Sequence, residues 1–310
     1  MPAVERAFRV MGCGAVVLVE GPARLLSVAE ARLRRLEARW SRFLPGSDIS
    51  RLNCAGGSPI PVSADTLDVL EAALAGWRLT AGRFDPTVLP ALEAAGFGPP
   101  RQEPANPGPP PPLPSGVAHP GGAAPGLGGL ALDRPRRRAA LAPGVRIDLG
   151  GIGKGFAADV AAGELLAAGA SRALVGVGGD LRVAGPGPDP AGWVIAVEAP
   201  GDPGRELVRL AVERGGVATT SPLGRGAPAH AGGAHHLIDP AAGAPSRSAL
   251  RQVTVLAADA ARAEILAKAA YLSGDADEAL AFVEARGGEA LVVDRAGRLR
   301  PSPSLSERLL

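Results

Sequence analysis

Between Pro99 and Gly129 the chain is dominated by proline, glycine and alanine, with Pro-Gly-Pro-Pro-Pro-Pro at 107–112. Such a run joins neither a helix interior nor a sheet ladder, because proline has no N–H to donate and its ring blocks the preceding turn. The patterned sequence therefore falls into two blocks, 1–98 and 130–310. Residues with chemical potential stand on both sides, so the blocks are expected to build one domain around a flexible surface insertion at 99–129.

The periodicity of the two blocks sets the fold class. Residues 6–20 are rich in β-branched side chains and broken by Gly12 and Gly14, which reads as a strand pair or a bent strand. Ser27-Val28-Ala29-Glu30 fits a capping box, and Leu33, Leu36, Trp40 and Phe43 follow on one helical face. A second helix is expected over about 64–80, stopped by Gly82, and then a turn at Phe84-Asp85-Pro86-Thr87 into a short helix ending near Gly96. After the insertion, strands are expected near 130–133, 138–142 and 145–149, and a helix over 153–168. Strands near 172–177, 180–185, 193–198, 207–213, 216–219, 235–239 and 251–257 come next, then helices over 260–273 and 276–286 and a strand over 289–294. Strands come in runs rather than alternating with helices. That pattern predicts α+β, with mixed, largely antiparallel sheets, packed helices and two intimately joined lobes.

With 310 residues, 46% of them apolar, the chain can bury a substantial core. Its net charge of +2, with both signs spread along it, leaves no footprint for nucleic acid, and the cluster Arg134, Arg136, Arg137 and Arg138 reads as a solvated turn. Cys13 and Cys54 lack ligand spacing and are expected as free, buried thiols. No signal peptide, lipoprotein signal or long apolar span is seen, so a cytoplasmic location without membrane insertion is expected.

Lysine is the informative residue. There are 31 arginines and only two lysines, Lys154 and Lys268. A retained lysine in such a background suggests that a compact ammonium is wanted rather than a planar fork, unless its placement is chance. In Asp148-Leu-Gly-Gly-Ile-Gly-Lys154-Gly a strand ends in glycines and a helix begins, so backbone N–H groups can approach an anion beside the Lys154 charge. It is not a Walker A loop, and a tight turn with a surface lysine is the alternative. Gly176-Val-Gly-Gly-Asp180 joins two strands and fits a dinucleotide fingerprint poorly. Three of the four histidines lie at 230–236, and His235-His236-Leu237-Ile238-Asp239-Pro240 ends a predicted strand. Adjacent strand residues face opposite ways, so only one of the pair can join a site. His236 and Asp239 suit acid/base and orienting roles, or a strand end with a turn-capping aspartate.

Met11-Gly, Ser41-Arg-Phe43 with Ser47, Ser50 and Asn53, Phe84-Asp-Pro-Thr87, Gly96-Phe-Gly98, Asp148-Leu-Gly-Gly-Ile-Gly-Lys-Gly, Gly178-Gly-Asp180, Thr220-Ser221 and His236-Leu-Ile-Asp-Pro240 stand in one order. In that order and spacing the chain resembles the ApbE family of FAD:protein FMN transferases. The resemblance implies FAD as substrate, Mg²⁺ at the diphosphate, and transfer of FMN to a threonine or serine of a flavoprotein with release of AMP. It places FAD contacts at Met11, Phe43, Gly96, Phe97, Gly98, Asp148, Gly150, Lys154 and Ile238. Catalytic roles are expected for Lys154, His236, Asp239 and Lys268. FAD hydrolysis to FMN and AMP, or flavin binding without catalysis, are the alternatives.

The metal positions implied by the resemblance are Gly151, Glu264, Ala267 and Lys268, where relatives carry Asp and Thr four residues apart on the late helix, at the positions of Glu264 and Lys268. A glutamate can ligate, but an ammonium has three donors and no acceptor, so Lys268 cannot. Two readings remain: an ordinary i,i+4 ion pair worth roughly 0.2–0.5 kcal/mol, or an ammonium in the cation's place, oriented by Glu264. Pro222 is a second departure, since it removes an N–H where relatives have glycine.

Overall fold

The structure, a computed structural model, describes residues 3–98, 122–223 and 235–310. Residues 99–121 of the expected insertion, and His230, lie outside the described residues. The chain opens on a hairpin, β1 (Ala3–Val10) and β2 (Cys13–Glu20), turned by Met11 and Gly12 at φ 52° and 72°. Two residues with positive φ give the turn whose twist matches the strands it joins. Helix α1 (Arg24–Trp40) buries Leu25, Ala29, Leu33, Leu36 and Trp40 along one stripe. It starts before the expected capping box, because Ser27 and Glu30 are instead held from outside by Arg6, whose Nη1 lies 3.0 and 3.1 Å from them. Phe43 lies past the helix end, where Ser41 is already extended.

Helices α2 (Asp48–Cys54) and α3 (Ala64–Leu79) flank the short β3 (Ile60–Pro61), and Ser47 and Ser63 cap them. Helix α4 (Leu89–Leu92) runs into a wider turn over Glu93–Phe97, broken by Gly96 at φ 94°. Strands β4 (Ala131–Asp133) and β5 (Arg138–Ala140) join β3 in a small sheet. Next come α5 (Gly153–Ala167), β6 (Arg172–Val177), β7 (Asp180–Ala184), a hairpin of β8 (Trp193–Ala199) and β9 (Asp202–Val212), and β10 (Gly215–Thr220). The chain ends through β11 (Ile238–Asp239), β12 (Ala244–Pro245), β13 (Gln252–Ala257), α6 (Ala260–Tyr271), α7 (Ala276–Glu284), β14 (Glu289–Val293), β15 (Leu299–Pro301) and α8 (Pro303–Ser306).

Eight strands form the main sheet in the order β1-β2-β6-β7-β10-β13-β14-β15, every neighbouring pair antiparallel. The α+β expectation holds, and the sheets are more uniformly antiparallel than "mixed" implied. Helices α1, α5 and α6 pack one face over a core that includes Leu33, Leu36, Ala158, Val175 and Val255. The β8–β9 hairpin covers part of the other face with Trp193, Ile195 and Leu210 against Val183 and Val217.

Three local expectations change. No strand forms at 145–149, because Asn53 takes both backbone groups of Ile147, its amide donating to the C=O at 2.9 Å and its oxygen accepting the N–H at 2.8 Å. One side chain satisfies what a neighbouring strand would. The strand at 235–239 shrinks to Ile238–Asp239, leaving both histidines ahead of it. The end of the proline-rich stretch is built into the fold, since Leu127 is buried and the Gly126 N–H donates to Thr87 Oγ1. Packed structure thus includes residues 124–129 of the expected insertion, with the Ala124 N–H on the Pro240 carbonyl. Both cysteines are free, but Cys54 is exposed and Cys13 half-buried. Among the described residues no helix is long and apolar enough to cross a membrane.

Helices α5 and α6 meet backbone to backbone. A Cβ at Gly155 would stand 2.4 Å from the Ala260 carbonyl oxygen, so only glycine lets α6 approach this closely. Gly155→Ala is expected to lower stability by about 1–3 kcal/mol or more in urea denaturation, the range for overpacking a filled site; an unchanged midpoint would contradict this contact.

Candidate functional site

The two lysines converge. Lys154, at the start of α5, donates from Nζ to Asp180 Oδ2 at 2.5 Å and to Glu264 Oε1 at 2.8 Å. Lys268, one turn beyond Glu264 on α6, donates to the same Oε1 at 3.0 Å. The other oxygen, Oε2, accepts the Gly155 N–H at 2.9 Å. Glu264 is fully buried, and such a charge persists only when paired and hydrogen-bonded.

The charge states follow from these contacts. Burial would favour a neutral Lys154, but Asp180 and Glu264 outweigh it and hold the ammonium above the ordinary lysine range. Burial likewise opposes ionisation of Glu264, yet Lys154, Lys268 and the Gly155 N–H hold it below the usual carboxylate range. Asp180 moves the other way, pushed up by burial and by Glu264 against the pull of Lys154.

Beside this cluster lies a cavity of about 210 Å³. Of the residues expected from sequence, it gathers Phe97, Asp148, Gly150 and Gly151 with His236, Ile238 and Lys268. Gly151 is wedged there, since a Cβ would stand 3.0 Å from the Phe84 ring and 3.3 Å from the Lys268 stem. Burial drops His236 to about 4, aided by Lys268, His235 and Lys154, so it is a neutral base near pH 7. His235 turns elsewhere, with Nε2 3.0 Å from the Ser246 carbonyl and its ring against Tyr271. One histidine of the pair therefore reaches the cavity, although no strand alternation puts it there.

The remaining expected residues stand off the cavity wall. Lys154 and Glu264 are not on the wall; Glu264 is tied to it by Lys268 and Lys154 by way of Glu264, and Ala267 is buried on α6. Met11 sits in the β1–β2 turn with its N–H on Glu37 Oε1 at 2.7 Å. Gly96 and Gly98 bracket Phe97 in the turn that presents it. Phe43 is 53% exposed, outside the wall. Asp239 accepts the Ala241 N–H at 2.9 Å and so caps its own turn.

Arg42 is a wall residue that sequence reasoning passed over. Its guanidinium lies 4.1 Å over the Phe43 ring, donates to the Phe97 carbonyl and sits 3.1 Å from Asp148 Oδ1. Burial pushes the Asp148 carboxyl up against the pull of Arg42. The one signal was position: Arg42 stands inside Ser41-Arg-Phe43, between residues already singled out. Asp180 stands in Gly178-Gly-Asp180, and only the fold brings it to Lys154.

The chain is similar to known proteins over most of its length. The model of the ApbE family matches residues 11–292. The FAD:protein FMN transferase of Haemophilus influenzae is 30% identical over 262 residues, covering 82% of this chain and 74% of its own. That of Vibrio cholerae is 28% identical over 256 residues, with the same coverages of 82% and 74%. Among solved structures, the ApbE protein of Thermotoga maritima superposes with a TM-score of 0.85 at 26% identity, covering 99% of both chains. The apo flavinyl transferase ApbE of Pseudomonas stutzeri gives 0.79 at 28% identity, over 99% of this chain and 96% of that one.

Proposed function

The chain belongs to the ApbE family, and from that premise we propose that it is an FAD:protein FMN transferase, with FAD as substrate and a flavoprotein as acceptor. The acceptor's threonine or serine oxygen attacks the phosphorus of the FMN half. A phosphoester forms, the bridging P–O bond of the diphosphate breaks, AMP leaves with the bridging oxygen, and the hydroxyl proton passes to a base. We take residues 1–98 and 130–310, with the packed 124–129, as one domain for this reaction.

The observation that carries the reading is the Lys268 ammonium on the wall of a cavity shared with Phe97, Asp148 and His236. Phosphoryl transfer needs fixed positive charge where the diphosphate loads its oxygens, and little else from the protein. Lys268 supplies it directly, and Lys154 holds Glu264 so that Lys268 is oriented rather than neutralised by a mobile partner. His236, neutral and on the wall, takes the hydroxyl proton. Asp239 is left with its turn. Phe97, and Phe43 outside the wall, offer flat apolar faces to the ring systems of FAD.

Magnesium needs oxygen donors in near-octahedral array at about 2.0–2.1 Å. Glu264 has no free oxygen for it, since Oε1 faces two ammoniums and Oε2 a backbone N–H. Lys268 has donors only, and among the described residues no three His, Cys, Asp or Glu side chains group as a metal site. The residues at these positions do not fit the ion, and the positive charge is assigned to Lys268.

Intact-mass analysis of a co-expressed acceptor domain bearing a flavinylation threonine or serine tests the proposal. A gain of one FMN is expected. Free FMN and AMP alone would mean hydrolysis, and intact bound FAD with neither would mean a flavin-binding protein. Arg42→Ala should weaken FAD binding about tenfold, roughly the 1.4 kcal/mol of one charged contact, in a flavin-fluorescence titration; unaltered affinity would remove Arg42 from the wall's function.

A further inference from the structure

One carboxylate joins the two helices that carry the buried charges. Asp159 on α5 accepts the N–H groups of Ala260 and Ala261, each at 2.9 Å, the first two amides of α6. Asp259 takes the next two, its side chain the Arg262 N–H at 2.7 Å and its carbonyl the Ala263 N–H at 3.1 Å. All four amides left free at a helix start are thus bound, two of them by the neighbouring helix.

The start of α6 is pressed between Gly155 of α5 and Gly216 of β10, where added Cβ atoms would stand 2.4 Å from the Ala260 carbonyl oxygen and 2.2 Å from Ala260 Cα. One turn further along α6, Glu264 meets the Gly155 N–H and Lys154. We infer that Asp159 is a positioning residue whose ionised carboxylate clamps the start of α6 to α5 and so sets the Lys154–Glu264–Lys268 spacing on which diphosphate transfer depends. The inference rests on the function proposed above.

Two charged groups face Asp159: Asp259 at the start of α6, and Arg182 of β7, whose Nε is 3.8 Å from Oδ1. Burial pushes the Asp159 carboxyl up to about 6, with Asp259 adding to the rise while the two amides and Arg182 oppose it. A raised carboxyl contributes stability that is fully present below the ordinary carboxylate value and lost as pH rises through about 6. The form that binds both amides best is therefore the costlier one for the fold.

Asp159→Asn keeps the shape but places an NH₂ against one of the two amides. At pH 7.5 we expect kcat for FMN transfer to fall about tenfold with the KM for FAD within about twofold, and the variant's Tm relative to wild type to rise from pH 4.5 to 7.5. Asp259→Ala, which removes the side-chain cap on the Arg262 N–H without touching the bridge to α5, should lose stability but keep kcat at pH 7.5. Wild-type kcat should fall below about pH 6 with far-UV circular dichroism intact. Equal kcat for Asp159→Asn and wild type, or equal losses in both variants, overturns the inference. If Asp159→Asn does not fold, a flat wild-type kcat from pH 7.5 to 5 overturns it instead. A wild-type protein that transfers no FMN at any pH sinks the proposed function, and this inference with it.

Discussion

Lys154→Met is expected to reduce FMN transfer about a thousandfold, the upper range for removing one preorganised electrostatic group. The loss has two sources. Lys154 bridges Asp180 and Glu264, so without it Asp180 loses its ion pair and Glu264 keeps Lys268 as its charged partner. Breaking a buried charge cluster in this way costs about 3–5 kcal/mol, and Lys154's partial exposure puts the figure here at the lower end. The second source is geometric, since Glu264, no longer held from both sides, ceases to aim Lys268 at the cavity. The double variant Lys154→Met/Glu264→Gln separates the two: thermal unfolding should recover most of the stability, while transfer stays lost. Recovery of transfer along with stability would mean that Lys154 only supports the fold.

Lys268→Thr should have the second largest effect, and its direction depends on what surrounds it. Wild-type transfer is expected to be the same in chelator and in millimolar Mg²⁺, because the ammonium supplies the positive charge from the protein. The variant should lose about a hundredfold in chelator and regain part of that in Mg²⁺, since threonine offers an oxygen where lysine offers only donors. FAD affinity, followed by flavin fluorescence, should weaken in parallel without metal. Were Lys268 only an i,i+4 partner of Glu264, the change would be a few tenths of a kcal/mol in stability with turnover untouched. Wild-type activity that collapses in chelator would also end the assignment.

Much of this site could be read from sequence because its parts are local. Asp148 to Lys154 is a turn into α5 whose glycines and lysine are neighbours in the chain. The 264/268 pair sits one helical turn apart, and a charged pair on a helix whose one other charge is Arg262 is visible without coordinates. The antiparallel fold was legible for the same reason: β-branched runs, glycine breaks and three- or four-residue steps act over a few residues. The errors were local patterns overridden from afar. Residues 145–149 look like a strand, but Asn53, 94 positions away, takes the bonds a strand would make. Ser27 and Glu30 look like a cap, but Arg6 claims both.

Sequence alone determined the kind of chemistry: two compact ammoniums in an arginine-rich chain, a glycine turn suited to an anion, and a carboxylate one helical turn before the second lysine. Tertiary structure decided the wiring. Lys154 reaches Glu264 across 110 residues and Asp180 across 26, Arg42 is drawn to Asp148 and Phe97, and Asp159 fastens α6 to α5. Such contacts leave no mark in spacing, because which side chains meet is set by how closely the helix backbones can approach. Here that depends on Gly155 and Gly216 having no side chain at all.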